Sequence, residues 1–69
     1  SEVRADAPVS EEIVALNELG FRKVTEGNYR EGVEIFRRLI SVAPQYPQAH
    51  FNLGIALGLR HLDKARSNR

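Results

Sequence analysis

Apolar residues recur every three or four positions along most of the chain, and this spacing predicts three helices. The first begins after Ser10, a residue type that caps helix starts, and ends at Gly27. The second begins at Tyr29 and ends before Pro44, because proline lacks the amide hydrogen that continues a helix. The third begins at Pro47, since the first turn of a helix does not need that amide.

The remaining segments carry weaker signals. Asn28 and Glu31 have the spacing of a capping box at the start of the second helix. Residues 1–10 show no apolar period and are interpreted as a linker or N-terminal arm. Residues 62–65 look like the opening of a short fourth helix, and residues 63–69 are interpreted as a basic C-terminal tail. The predicted fold is therefore all-α, with three helices, the start of a fourth, and a helical region over residues 11–62.

The sequence also contains an internal repeat. Leu19-Gly20 recurs 34 residues later as Leu53-Gly54, and Ala15 recurs as Ala49. A period of this length is typical of helical solenoids. The chain resembles the tetratricopeptide repeat family at spaced positions of a first copy and of an incomplete second one. These are Leu16, Leu19-Gly20, Gly27-Asn28-Tyr29, Gly32, Phe36 and Pro44, followed by His50, Leu53-Gly54 and Leu57.

The resemblance implies an α-solenoid fragment of about one and a half repeats, built from helix-turn-helix units. Solenoids usually need about three repeats for independent stability. We therefore expect the missing helix to come from another molecule or from the chain's own tail.

Composition narrows the range of functions. Ten basic and nine acidic residues give a net charge of +1, which is too balanced for a general nucleic-acid binder. The chain has no cysteine, and its two histidines, His50 and His61, lie at a spacing that zinc sites do not use. No apolar run is long enough to span a bilayer. We predict no metal, no cofactor, no nucleic-acid partner and no direct membrane insertion.

The residues that could take part in catalysis have simpler interpretations. Ser10 is predicted to cap a helix, and His50 lies between apolar residues on a packing stripe. Glu11 and Glu12 belong in the first turn of a helix, where the dipole favours carboxylates. The chain is therefore predicted not to be an enzyme.

In the tetratricopeptide family, the first helix of each pair lines a concave groove that holds a peptide or helix of another protein. Carried over to this chain, the resemblance assigns the groove to a second, mostly apolar stripe on the first and third helices. The predicted partner-binding residues are Val14, Asn17, Phe21, Val24, Gln48, Phe51, Ile55 and Leu59.

The predicted function is thus that of a scaffold or adaptor, which binds an apolar helix or peptide, or another copy of itself. Three alternatives stay open at this point. In the first, the stripe is covered and forms part of a core. In the second, the chain is a regulatory or substrate-recruiting fragment of a larger enzyme. In the third, it is an oligomer-forming structural repeat protein.

Overall fold

The computed structural model describes residues 10–67, which form three helices and no strand. These are α1 (Glu11–Thr25), α2 (Tyr29–Val42) and α3 (Pro47–Ser67). The all-helical class and the three predicted helices are confirmed. The predicted arm, apart from Ser10, lies outside the described residues, as do the last two residues of the basic segment.

Local signals define both ends of α1. The Ser10 side chain accepts a hydrogen bond of 3.3 Å from the backbone N–H of Ile13, as a helix cap does. At the other end, Gly27 adopts a φ of +88°, where residues with a side chain are strained. The N–H groups of Gly27 and Asn28 then donate to the carbonyls of Val24 and Lys23, which closes the helix.

The predicted capping box at the start of α2 is wrong. Asn28 makes no side-chain cap bond, and its ψ of 67° departs from the extended backbone that capping side chains need. Its backbone carbonyl instead accepts the N–H of Gly32 at 3.0 Å. The Glu31 carboxylate lies 3.3 Å from Lys23 Nζ on α1, so it pairs across the hairpin and does not return to the cap.

The separate fourth helix does not form. Residues 62–65 continue α3, which runs without interruption to Ser67 and includes most of the predicted basic tail. The physical reason is that no proline follows Pro47, and neither Gly54 nor Gly58 adopts a positive φ that would end the helix.

The core is centred on α2, which packs against both α1 and α3, while α1 and α3 touch each other much less. Phe36, Leu39 and Val33 of α2 are the largest fully buried side chains. Because both connections are short, neighbouring helices are antiparallel, and α1 and α3 run in the same direction.

Helices α1 and α2 approach closely at two glycines. A Cβ atom on Gly20 would lie 2.6 Å from the ring of Phe36, and one on Gly32 would lie 2.6 Å from Val24 Cγ2. Both contacts would be too close for a real side chain, so glycine is required at these positions for the observed packing.

Candidate functional site

A polar contact joins α1 and α3 beside α2. Asn52 Nδ2 donates a hydrogen bond of 2.9 Å to Asn17 Oδ1, and the pair is partly buried. The two residues are 35 positions apart in the sequence, and the bond links α1 directly to α3. Asn17, predicted as a partner-binding residue, is half-buried and already has a hydrogen-bond partner.

The predicted apolar stripe lies mostly on the surface. Phe21 is 58% exposed and Phe51 is 69% exposed, although both are large aromatic side chains. Val14, Ile55 and Leu59 are also exposed, as is Gln48. The structure therefore leaves apolar side chains of both α1 and α3 exposed at the surface.

Val24 does not belong to this surface. Its side chain is only 8% exposed and belongs to the core, facing Gly32 on α2. The reason is geometric: three residues of helix rotate a side chain by about 300°, which places Val24 about 60° from Phe21 and towards α2. It holds the helices together and is not available to a partner in this fold.

Sequence reasoning missed one residue of the surface. Leu62 is 57% exposed and follows Ile55 by seven positions, the spacing that keeps residues on one side of a helix. The seven-residue spacing indicates Leu62, but the sequence analysis places residues 62–65 in a separate helix. We define the groove face by its exposed apolar side chains: Val14 and Phe21 on α1, with Phe51, Ile55, Leu59 and Leu62 on α3.

Other depressions in the surface have fewer features of a binding site. One is a polar cleft between the start of α2 and the end of α3, where Arg30, Arg60 and Lys64 alternate with Glu34 and Asp63. Charges of both signs leave this cleft without a preference for one kind of ion. The other is a shallow apolar depression lined mainly by Ala15, Leu16, Leu19 and Ile35.

No arrangement typical of a metal site occurs among residues 10–67. No group of three histidine, cysteine or acidic side chains there could hold a metal ion. His50, expected to pack against its neighbours, is exposed, and its ring Nε2–H donates to the Pro44 carbonyl at 2.9 Å. No helix in the described part of the chain is both long enough and apolar enough to cross a bilayer.

Comparison with models of known protein families, with curated proteins and with solved structures finds no match to this chain. The candidate site is therefore defined by its geometry and by the chemistry of the groove face.

Proposed function

We propose that this chain is a protein–protein interaction module of the tetratricopeptide type, with no catalytic activity of its own. It acts as a scaffold or adaptor, and the groove face holds an apolar helix or peptide of a partner. The observation that carries the proposal is the exposure of Phe21 on α1 and Phe51 on α3, at 58% and 69%.

The exposed aromatic area is large enough to matter for binding. At roughly 200 Å² for a full aromatic side chain, the exposed parts of Phe21 and Phe51 together amount to about 250 Å². Burying that area is worth about 6 kcal/mol before the entropic cost of association is subtracted. Aromatic side chains of this kind commonly supply most of an interface's binding energy.

The shape and chemistry of the groove face favour an apolar helix or an extended apolar segment. Its long axis follows α3, with Phe51, Ile55, Leu59 and Leu62 along one side. On α1, Val14 and Phe21 are seven residues apart and supply the other side. A partner with apolar residues at helical spacing would meet both rows at once.

The repeat-type packing is supported by the contacts of the residues on which the resemblance rests. Gly20 and Gly32 are two of the residues on which the tetratricopeptide resemblance rests, and each allows a close contact between α1 and α2. Phe36, a third, fills the space beside Gly20. These residues thus have packing roles, which leaves the groove face free for a partner.

The test replaces Phe21 and Phe51 together by aspartate. Because both side chains are exposed, circular dichroism should show an unchanged helical fold, while proteins retained from extract by the immobilised wild type should be lost. Each retained protein is then purified and its affinity for wild type and variant measured, with a loss of at least about 100-fold expected for two aromatic hot spots.

Val42→Asp provides the matched control. Val42 is as exposed as Phe21, at 58%, but lies on α2 outside the groove face. It should retain the partner with wild-type affinity. If the double variant unfolds, the stripe is core; if it binds as well as Val42→Asp does, the groove face is not the binding surface.

A further inference from the structure

Two acidic side chains run beside the apolar side chains of α1 on the groove face. Glu11 lies three residues before Val14, and Glu18 lies three residues before Phe21. Three residues of helix correspond to about 300° of rotation, so each glutamate lies about 60° from its apolar neighbour. Both glutamates are exposed. Carboxylates thus border the two apolar side chains that α1 contributes to the groove face.

This acidic row lies on the side of α1 that is turned away from α2. Val24 comes three residues after Phe21 and faces α2, whereas Glu18 comes three residues before Phe21 and is rotated by the same angle in the opposite direction. Glu11 is seven residues before Glu18, so it lies on the same side of the helix, about 20° away. The row therefore forms the outer edge of the groove face, where a bound partner would be its neighbour.

Neither carboxylate has an ion-pair partner among residues 10–67. The salt bridge in that part of the chain joins a lysine of α1 to the first turn of α2. Arg22 follows Glu18 by four residues, the spacing of a helical ion pair, but the two side chains form no salt bridge in the described structure. The helix dipole stabilises Glu11 in the first turn of α1, whereas Glu18 lies beyond that turn.

The facing part of α3 carries no cation. The hydrogen bond between Asn17 and Asn52 sets this part of α3 beside α1, one residue before Glu18. Residues 47–59 of α3 include no aspartate, glutamate, lysine or arginine. The first cation of the helix is Arg60, eight residues beyond Asn52 and about 12 Å further along the axis. A cation carried by a partner would thus meet carboxylates that the described chain leaves unpaired.

We propose that the partner held by the groove face is a basic amphipathic helix. This inference rests on the proposed function and adds the chemical class of the partner. The apolar row of the partner helix packs on Phe21 and Phe51, and two lysine or arginine side chains beside that row pair with Glu11 and Glu18. The apolar contacts supply affinity, and the two ion pairs select basic helices over acidic ones.

The spacing of the carboxylates favours a helix over an extended segment. Glu11 and Glu18 are seven residues apart, which is about 10.5 Å along α1. A helix lying along α1 presents side chains on one side at the same interval, because seven residues are close to two full turns. In an extended segment about 10 Å corresponds to three residues, whose side chains alternate between opposite sides. A helix therefore places both cations beside one apolar row, and an extended segment does not.

The test uses two fluorescently labelled helical peptides of about 18 residues and the intact 69-residue protein. Both peptides carry leucines and one phenylalanine in a single apolar row. The probe has two lysines, seven residues apart, on each flank of that row, and the matched control has glutamate at the same positions. By fluorescence anisotropy in about 20 mM salt, the probe should bind at least about tenfold more tightly than the control.

Two features of this comparison identify local charge as the cause. The net charge of the protein is +1, which by itself would favour the acidic peptide. In about 500 mM salt the preference for the probe should fall below about threefold, because exposed ion pairs are screened.

Protein variants locate the ion pairs. In the Glu11→Gln, Glu18→Gln double variant, the preference should fall below about threefold even at low salt. The matched control, Glu12→Gln with Glu26→Gln, removes the same charge from exposed glutamates about 180° and 140° from Phe21 around α1, and it should keep the tenfold preference. Each double variant loses one first-turn glutamate, so their helix content by circular dichroism should be the same.

The outcomes separate this inference from the proposed function. Equal binding of both peptides to the wild type, with both lost in the Phe21→Ala, Phe51→Ala double variant, would overturn the basic partner and leave the groove face as the binding surface. A preference that survives in the Glu11, Glu18 variant, or that is lost in the matched control variant as well, would also overturn the inference. So would binding of neither peptide, or probe binding that does not depend on the two phenylalanines. The proposed function itself fails only if proteins retained from extract bind equally well without these two aromatic side chains.

Discussion

The same substitution should have opposite effects at two glycines that the repeat makes equivalent. Gly20 and Gly54 both lie inside helices, so replacing either by alanine raises helix propensity by about 1 kcal/mol. At Gly54 nothing opposes this gain, because the new Cβ meets no atom within 4 Å. Gly54→Ala should therefore stabilise the protein by up to about 1 kcal/mol.

At Gly20 the new methyl group would overlap the ring of Phe36 at 2.6 Å. The ring is fully buried and cannot move into solvent, so the helices must separate or the ring must leave its preferred rotamer. Overpacking of this kind costs about 1–3 kcal/mol, which outweighs or cancels the helix gain. Because the propensity gain is common to both variants, the difference between them isolates this packing cost, again about 1–3 kcal/mol.

Urea unfolding followed by far-ultraviolet circular dichroism measures this difference. A change of 1 kcal/mol shifts the midpoint by roughly 1 M for a domain of this size, and the thermal midpoint by about 4–8 °C. If Gly20→Ala stabilised the protein as much as Gly54→Ala, the close packing of α1 on Phe36 would be refuted. If Gly54→Ala were destabilising, the space beside Gly54 would not be open in solution.

Two further changes probe the helix connection and the polar contact between helices. Gly27→Ala should lower the unfolding free energy by about 1 kcal/mol, because φ is +88° there, and equal stability of the variant in urea unfolding would disprove that conformation. A double-mutant cycle of Asn17→Ala and Asn52→Ala should give a coupling energy of about 1 kcal/mol, since their side chains share a hydrogen bond; additive effects would show that this bond contributes nothing.

Sequence reasoning located the helices well because their ends depend on local chemistry. Ser10 caps α1, Gly27 closes it, and the two prolines Pro44 and Pro47 bracket the turn into α3. The prediction of a capping box was wrong for a reason that the local sequence does not show. The Glu31 carboxylate pairs with Lys23 on the neighbouring helix. The prediction of a short fourth helix was wrong because residues 62–65 resemble the opening of a second partner helix in the repeat pattern, although no residue there interrupts the backbone of α3.

The apolar stripe on α1 and α3 could be predicted from the sequence, but which of its residues are buried could not. Helical periodicity places Phe21 and Val24 on the same broad side of α1, and the position of α2 then decides which of them is buried. The open space beside Gly54 could not be predicted from the sequence at all. Both glycines follow a leucine in the repeat pattern, and only the packed structure shows that Phe36 lies over Gly20 and that nothing lies over Gly54.

Helix α3 is held in place by few buried side chains. Of its 21 residues only Ala49 and Ala56 are buried, so little apolar area holds it against α2. Beyond Ala56 it has no buried residue within the described part of the chain, and most helical stability in proteins comes from packing of an apolar face. A partner on the groove face would therefore add packing along α3, and would stabilise the end of that helix in proportion to its affinity.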